Sequence, residues 1–115
     1  MRNKLVRDKI PELVFNSGHH TPPRFKTSSG TDLQASLINK LDEELREVSV
    51  AFFSEKSDDG DVPDGVIEEL ADVLEVAYSI AKLRGVSNDE LDKVRQTKLE
   101  KHGGFEHGYI MDMNH

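Results

Sequence analysis

Two short acidic stretches of this sequence contain residues whose types and spacing could do chemistry. The first contains Glu44 and Glu47, and the second contains Glu69 and Asp72, so the members of each pair are three positions apart. Side chains three positions apart lie on the same face of an α-helix. Because both stretches belong to apolar patterns with helical periodicity, each predicts a helix that carries two carboxylates on one face.

The carboxylates occupy an unusual position relative to the apolar residues. When the first stretch is wound at about 100° per residue, Glu44 lies within about 40° of Val48, in the middle of the apolar stripe, and Glu47 lies at its edge. Glu69 takes the same central position in the second stretch, with Asp72 at the edge. The alternative is a solvated charged face, the usual explanation for an isolated acidic motif. The central position, repeated on a second helix, argues against that alternative.

Carboxylates on buried helix faces require a compensating charge. A buried carboxylate without one costs on the order of several kcal/mol, a large share of the roughly 5–15 kcal/mol that stabilises a small domain. The chain contains no cysteine, and oxygen ligands favour hard cations such as Mg²⁺, with Mn²⁺ as an alternative. We therefore predict a metal site whose ligands are Glu44, Glu47, Glu69 and Asp72.

The order and spacing of these acidic residues resemble a known metal signature. Glu43, Glu44 and Glu47 form an EExxE motif, and 21 intervening residues separate it from the ExxD motif of Glu69 and Asp72. This arrangement resembles the signature of the all-α nucleoside triphosphate pyrophosphohydrolases of the MazG-like superfamily, which includes the phosphoribosyl-ATP pyrophosphohydrolases.

Both ends of the chain extend the resemblance. Residues 3–12 read NKLVRDKIPE and residues 101–105 read KHGGF. They resemble a small single-domain branch that is often labelled phosphoribosyl-ATP pyrophosphohydrolase-like, so that the similarity covers nearly the whole chain. It implies Mg²⁺-dependent hydrolysis of a nucleoside triphosphate to the monophosphate and pyrophosphate by a metal-activated water.

This chemistry gives further residues candidate roles. Glu43 or Glu47 would accept the proton of the attacking water. An anionic substrate also requires cations, and the resemblance favours phosphate contacts by Arg7, Lys9, Arg95 and Lys98. The possible substrate pocket comprises Lys101, Gly103, Gly104 and Phe105, where Phe105 could stack on a base or close the pocket.

Each of these roles has a structural alternative. Arg7 could form a salt bridge with Asp8 or Glu12. The basic residues near residue 100 could simply favour the C-terminal end of a helix, and the Gly-Gly sequence could be no more than a helix stop.

Helices must position these residues. Apolar periodicity, caps and helix breakers predict an all-α bundle. Its four predicted helices are residues 10–17, 31–54, 63–84 and 88–101. The third is apolar over about 200°, more than a helix with one buried side needs. We predict that its second apolar side packs against another subunit in a homodimer or homotetramer.

Composition narrows the class of protein. We interpret the 115 residues, 1–115, as a single domain. A formal net charge of −7 disfavours binding to a nucleic-acid polymer or to an anionic membrane. The sequence contains no long apolar segment and no charged segment followed by a secretory core, so we expect a cytoplasmic protein.

Three other functions are compatible with these observations. One is phosphoribosyl-ATP hydrolysis in histidine biosynthesis, although the N-terminal motif and the GGF ending favour the other branch. A second is a nucleotide-sensing or partner-binding helical module that binds metal without turnover. The third is a structural bundle with solvated carboxylates, which would not respond to Mg²⁺.

Overall fold

A computed structural model describes residues 3–18, 21, 23–54 and 64–114 of the chain. The described residues form four α-helices and no strand, which confirms the predicted all-α fold class. The helices are α1 (Ile10–Asn16), α2 (Gly30–Ser54), α3 (Asp64–Leu83) and α4 (Asn88–His102). Their ends agree with the predicted ranges to within one residue, although Pro63, the predicted start of the third helix, lies outside the described residues. In these ranges we find no helix with the length and apolar character needed to cross a membrane.

The ends of α4 follow from its local sequence. Ser87 is the N-cap, and its hydroxyl oxygen accepts the backbone N–H of Glu90 at 3.2 Å. The Glu90 carboxylate accepts the Ser87 hydroxyl in return, where a complete capping box would use the N-cap backbone N–H. At the other end Gly103 has a φ of 80° and donates its N–H to the carbonyl of Leu99. Glycine adopts a positive φ readily because it has no side chain, and Gly103 therefore ends α4 as its C-cap.

The last three helices pack against one another in sequence order. Helix α2 packs on α3, and α3 also contacts α4, whereas α1 packs on no other helix in the described part of the chain. Among the described apolar side chains only Leu37, Val66 and Val76 are buried. The core is therefore thin and lies between α2 and α3, the two helices that carry the acidic motifs.

Helix α3 has a second apolar face that no other described part of the chain covers. Val66 and Val76 are buried, while Ile67, Leu70 and Leu74 on the other side are each about half exposed. This distribution agrees with the predicted width of the apolar surface. The predicted subunit on that face stays a prediction.

Candidate metal centre

The carboxylates of Glu44, Glu47 and Glu69 converge between α2 and α3. One carboxylate oxygen from each residue lies within 4.8 Å of the others. Glu44 and Glu47 share a face of α2 one turn apart, and Glu69 approaches from α3. The structure thus brings together three of the four predicted ligands in a group that could hold a metal ion.

Glu44 is the buried member of this acidic cluster. Glu44 is 4% exposed, in agreement with its central position in the apolar stripe, whereas Glu47, predicted at the edge of that stripe, is exposed. Lys40, four positions earlier, forms an ion pair with Oε1 of Glu44 at 3.2 Å. Oε2 of Glu44 and Oε2 of Glu69 are buried without a hydrogen-bond partner in the described part of the chain. Buried oxygens of this kind are rare because they lose their hydration and gain no hydrogen bond in return. A bound cation would compensate for that loss.

The crowding of the three carboxylates raises the pKa of Glu69 to about 7. The largest cause is Glu47, with which a protonated Glu69 can share a hydrogen bond. The burial of Glu69 raises its pKa further, and so does the interaction of Glu69 with the neighbouring Glu44. Like charges at close range disfavour simultaneous ionisation, so this cluster holds a proton near neutral pH when no cation balances it.

The raised pKa of Glu69 predicts that stability depends on pH in the metal-free protein. An unfolded glutamate titrates near about pH 4.3, so between that pH and about 7 the folded state binds more protons here than the unfolded state. This contribution to the free energy of unfolding is fully present below the unfolded pKa and is lost as the pH rises through 7. In EDTA, we expect Glu69→Gln to melt several degrees above wild type at pH 8, with a smaller difference at pH 5. Thermal melts followed by circular dichroism test this, and equal melting temperatures at pH 8 would contradict it.

The fourth predicted ligand, Asp72, has a different partner. Its Oδ1 accepts a hydrogen bond from the guanidinium of Arg7 at 2.5 Å, across 65 positions of sequence. Arg7 therefore makes this long-range ion pair and none to Asp8 or Glu12 in the described part of the chain, so the local alternative for Arg7 is wrong. Its predicted contact with substrate phosphate stays a prediction.

Glu43 lies beside the cluster and is held by two lysines. Its Oε1 is 3.4 Å from Nζ of Lys4 and 3.5 Å from Nζ of Lys40. Partial burial raises the pKa of Glu43, but the charges of Lys40 and Lys4 lower it by more, so the net pKa is lowered. A carboxylate with a lowered pKa is a poor proton acceptor.

Three cationic residues near the cluster were missing from the sequence-based site. Lys40 could have been found, because a lysine four positions from a glutamate forms a pair on one helix face. Lys4 contacts Glu43, beside the cluster, from a distant part of the sequence, for which no local signal exists. Arg46 lines an open cavity of about 380 Å³ at the acidic cluster. The other residues that line it are Glu43, Glu47, Val50, Ala51 and Glu69.

The remaining predicted substrate residues lie elsewhere in a single chain. Lys9 is exposed and forms no ion pair within the described ranges, whereas Arg95 pairs with Asp92 on its own helix at 2.8 Å. Lys98 and Lys101 line a second open cavity of about 380 Å³ together with Lys93, Val94, Thr97 and His102. Gly103 and Gly104 follow α4, and Phe105 is 98% exposed. No hydrogen bond or ion pair among the described residues joins α4 or residues 103–105 to the acidic cluster.

Comparison of the chain with protein-family models, with curated proteins and with solved structures finds no match. The family resemblance of its motifs therefore stays an expectation, and the chemistry of the site is inferred from its residues.

Proposed function

We propose that this chain is a Mg²⁺-dependent nucleotide pyrophosphohydrolase of the MazG-like superfamily. The observation that carries the proposal is the convergence of Glu44, Glu47 and Glu69, with a buried oxygen on Glu44 that has no hydrogen-bond partner among the described residues. An acidic cluster on a solvated face would leave its oxygens hydrated. A buried oxygen beside two further carboxylates instead favours a bound cation.

The donor set fits Mg²⁺. All three side chains offer carboxylate oxygens, and Mg²⁺ binds through a few carboxylates while it keeps waters and contacts substrate phosphates. When bound, it would neutralise phosphate charge and lower the pKa of a bound water. Glu44 and Glu69 would hold the ion from α2 and α3, and the exposed Glu47 would complete the group from the side that faces the cavity.

Glu47 is a better candidate than Glu43 to accept the proton of the attacking water. Glu43 is engaged by Lys4 and Lys40, and these charges lower its pKa. Glu47 is exposed, lines the cavity and forms no ion pair among the described residues. We therefore assign the proton-accepting role to Glu47, and we assign to Glu43 the role of fixing the two lysines at the edge of the site.

The working unit is proposed to be a homodimer or homotetramer. Exposed apolar residues recur seven positions apart, a spacing typical of helices that pack side by side. They are Ile38, Leu45 and Phe52 on α2, and Ile67 and Leu74 on α3.

A second copy would also explain the basic surface of α4. Lys93, Lys98 and Lys101 line one exposed surface, which could attract an anionic substrate. Within one chain α4 contacts only α3 among the described helices. We propose that the assembled oligomer, and not the single chain, brings this surface to a nucleotide.

Pyrophosphate release tests the proposed function. The substrates are standard and modified nucleoside triphosphates and phosphoribosyl-ATP, each assayed with Mg²⁺ and with EDTA. We expect release that requires Mg²⁺ and that is lost in Glu44→Gln but kept in Glu100→Gln, which changes an exposed glutamate of α4. Release from phosphoribosyl-ATP alone would favour the biosynthetic alternative. Mg²⁺ binding without release from any of these substrates would favour a nucleotide-sensing module.

A further inference from the structure

Residues 3–9, here named the N-terminal strap, connect the two acidic helices. Lys4 forms an ion pair with Glu43 of α2 at 3.4 Å, and Arg7 forms one with Asp72 of α3 at 2.5 Å. The strap therefore places one cation on each helix, at the edge of the acidic cluster. Neither acidic partner belongs to the group of three converging carboxylates.

The strap has anchors other than its ion pairs. Leu5 and Val6 are half-buried. The carbonyl of Arg7 also accepts the backbone N–H of Ile10 at 3.0 Å, a local bond that fixes the turn into α1 and leaves the Arg7 side chain unconstrained. Loss of the contact between Arg7 and Asp72 would thus leave the strap attached. The side chain of Arg7 can move while its backbone stays in place.

The ion pair of Arg7 is exposed to solvent. The Arg7 side chain is 56% exposed and that of Asp72 is 37% exposed. Ion pairs in such surroundings are weak because water screens them. A divalent cation held by three neighbouring carboxylates would attract the Asp72 carboxylate more strongly than a screened guanidinium does.

We propose that Arg7 is a built-in counter-ion of Asp72, which a divalent cation displaces when it binds to the acidic cluster. Asp72 then has two mutually exclusive partners, Arg7 in the metal-free protein and the cation in the metal-bound protein. The inference rests on the metal site of the proposed function and adds a competing residue to it. The displaced guanidinium stays at the edge of the site, where it is free to contact an anion.

Competition of this kind lowers the apparent affinity for the cation, because Asp72 is released from Arg7 in only a fraction of the metal-free molecules. Removal of the guanidinium should therefore tighten binding. Isothermal titration with Mg²⁺ alone should give a Kd about two- to fivefold lower for Arg7→Gln than for wild type, which corresponds to an exposed ion pair of modest strength. Arg7→Lys, which keeps the charge, should lie between the two.

A double-mutant cycle separates displacement from a general effect of charge. Asp72→Asn should weaken Mg²⁺ binding, and Arg7→Gln should have no further effect in the Asp72→Asn background. Lys82→Gln removes an exposed charge from α3, the helix of Asp72, without removing an ion pair within the described ranges, so it should leave the Mg²⁺ affinity near that of wild type. Equal or weaker binding by Arg7→Gln would overturn the inference, as would tightening that persists without Asp72.

The side chain of Arg7 provides a readout that needs no turnover. In a ¹⁵N NMR spectrum, its Nε–H resonance should shift when Mg²⁺ binds to wild type and should not shift in Asp72→Asn. Mg²⁺ binding with this shift but without pyrophosphate release would refute the proposed function and support the inference. Pyrophosphate release together with an unchanged Arg7 resonance in wild type and an unchanged Mg²⁺ affinity in Arg7→Gln would support the proposed function and refute the inference. No Mg²⁺ binding by wild type or Arg7→Gln would overturn both.

Discussion

Glu44→Gln is expected to abolish the stabilisation of the protein by Mg²⁺ and to lower pyrophosphate release by at least about 100-fold. Even residues that only orient a metal ligand cost about 10–100-fold in affinity or activity when they are replaced. Glutamine keeps the shape of Glu44 but removes the charge of the buried member of the cluster. An ion that binds only the folded state stabilises it by about 2.7 kcal/mol at a concentration of 100 times Kd, so the loss should be visible as a missing rise in Tm.

Melts with and without Mg²⁺ separate loss of binding from loss of folding. The metal-free variant should still unfold cooperatively, because Lys40, the partner of Glu44, keeps its second partner Glu43. Glu100→Gln is the matched control, and its Tm should rise with Mg²⁺ as that of wild type does. A normal rise in Tm for Glu44→Gln would mean that the acidic cluster is not the Mg²⁺ site.

Leu74→Glu is expected to convert the proposed oligomer into monomers. Leu74 is 50% exposed in a single chain, so a glutamate there can stay hydrated in the monomer. In a symmetric interface the charge would be buried twice, and each buried ion costs several kcal/mol. Since about 1.4 kcal/mol corresponds to a tenfold change in affinity, the dissociation constant should rise more than about 100-fold.

Analytical ultracentrifugation measures this effect directly. Wild type should sediment with at least twice the 13.0 kDa mass of the chain, and Leu74→Glu should sediment as the single chain. Glu68→Lys changes a charge on the exposed side of α3 and should keep the mass of wild type. A monomeric wild type, or an oligomeric Leu74→Glu, would show that the apolar face of α3 is not a subunit interface.

Local periodicity in the sequence predicted the parts of the site that depend on a single helix or on two helices with the same pattern. The burial of Glu44 and its approach to Glu47 depend on helical periodicity, which is a local property and can be derived from spacing. The approach of Glu69 required two helices to pack, and it was predicted because both carry the same apolar pattern around an acidic centre. The long helices were predicted to within one residue for the same reason.

The ion pairs of the strap could not be derived in this way. Arg7 and Asp72 are 65 positions apart, and no periodicity relates a short irregular segment to a distant helix face. The basic residues of α4 show the same limit: spacing places Lys98 and Lys101 on one surface, but only packing decides what that surface meets. Resemblance supplied functional roles for these residues without supplying their contacts.

The ion pairs around the cluster also determine how much positive charge the site lacks. Within the described ranges, three cations pair with members of a group of five carboxylates. The cations are Lys4, Lys40 and Arg7, and the carboxylates are Glu43, Glu44, Glu47, Glu69 and Asp72. With every carboxylate ionised, the difference is two positive charges, the charge of one divalent ion. A single Mg²⁺ would neutralise these paired groups, and Arg46, which lines the same cavity, would add a positive charge. A second Mg²⁺ would therefore leave the region with excess positive charge. Any further ion is therefore expected to arrive with the phosphates of the proposed nucleotide substrate, whose negative charge would balance it.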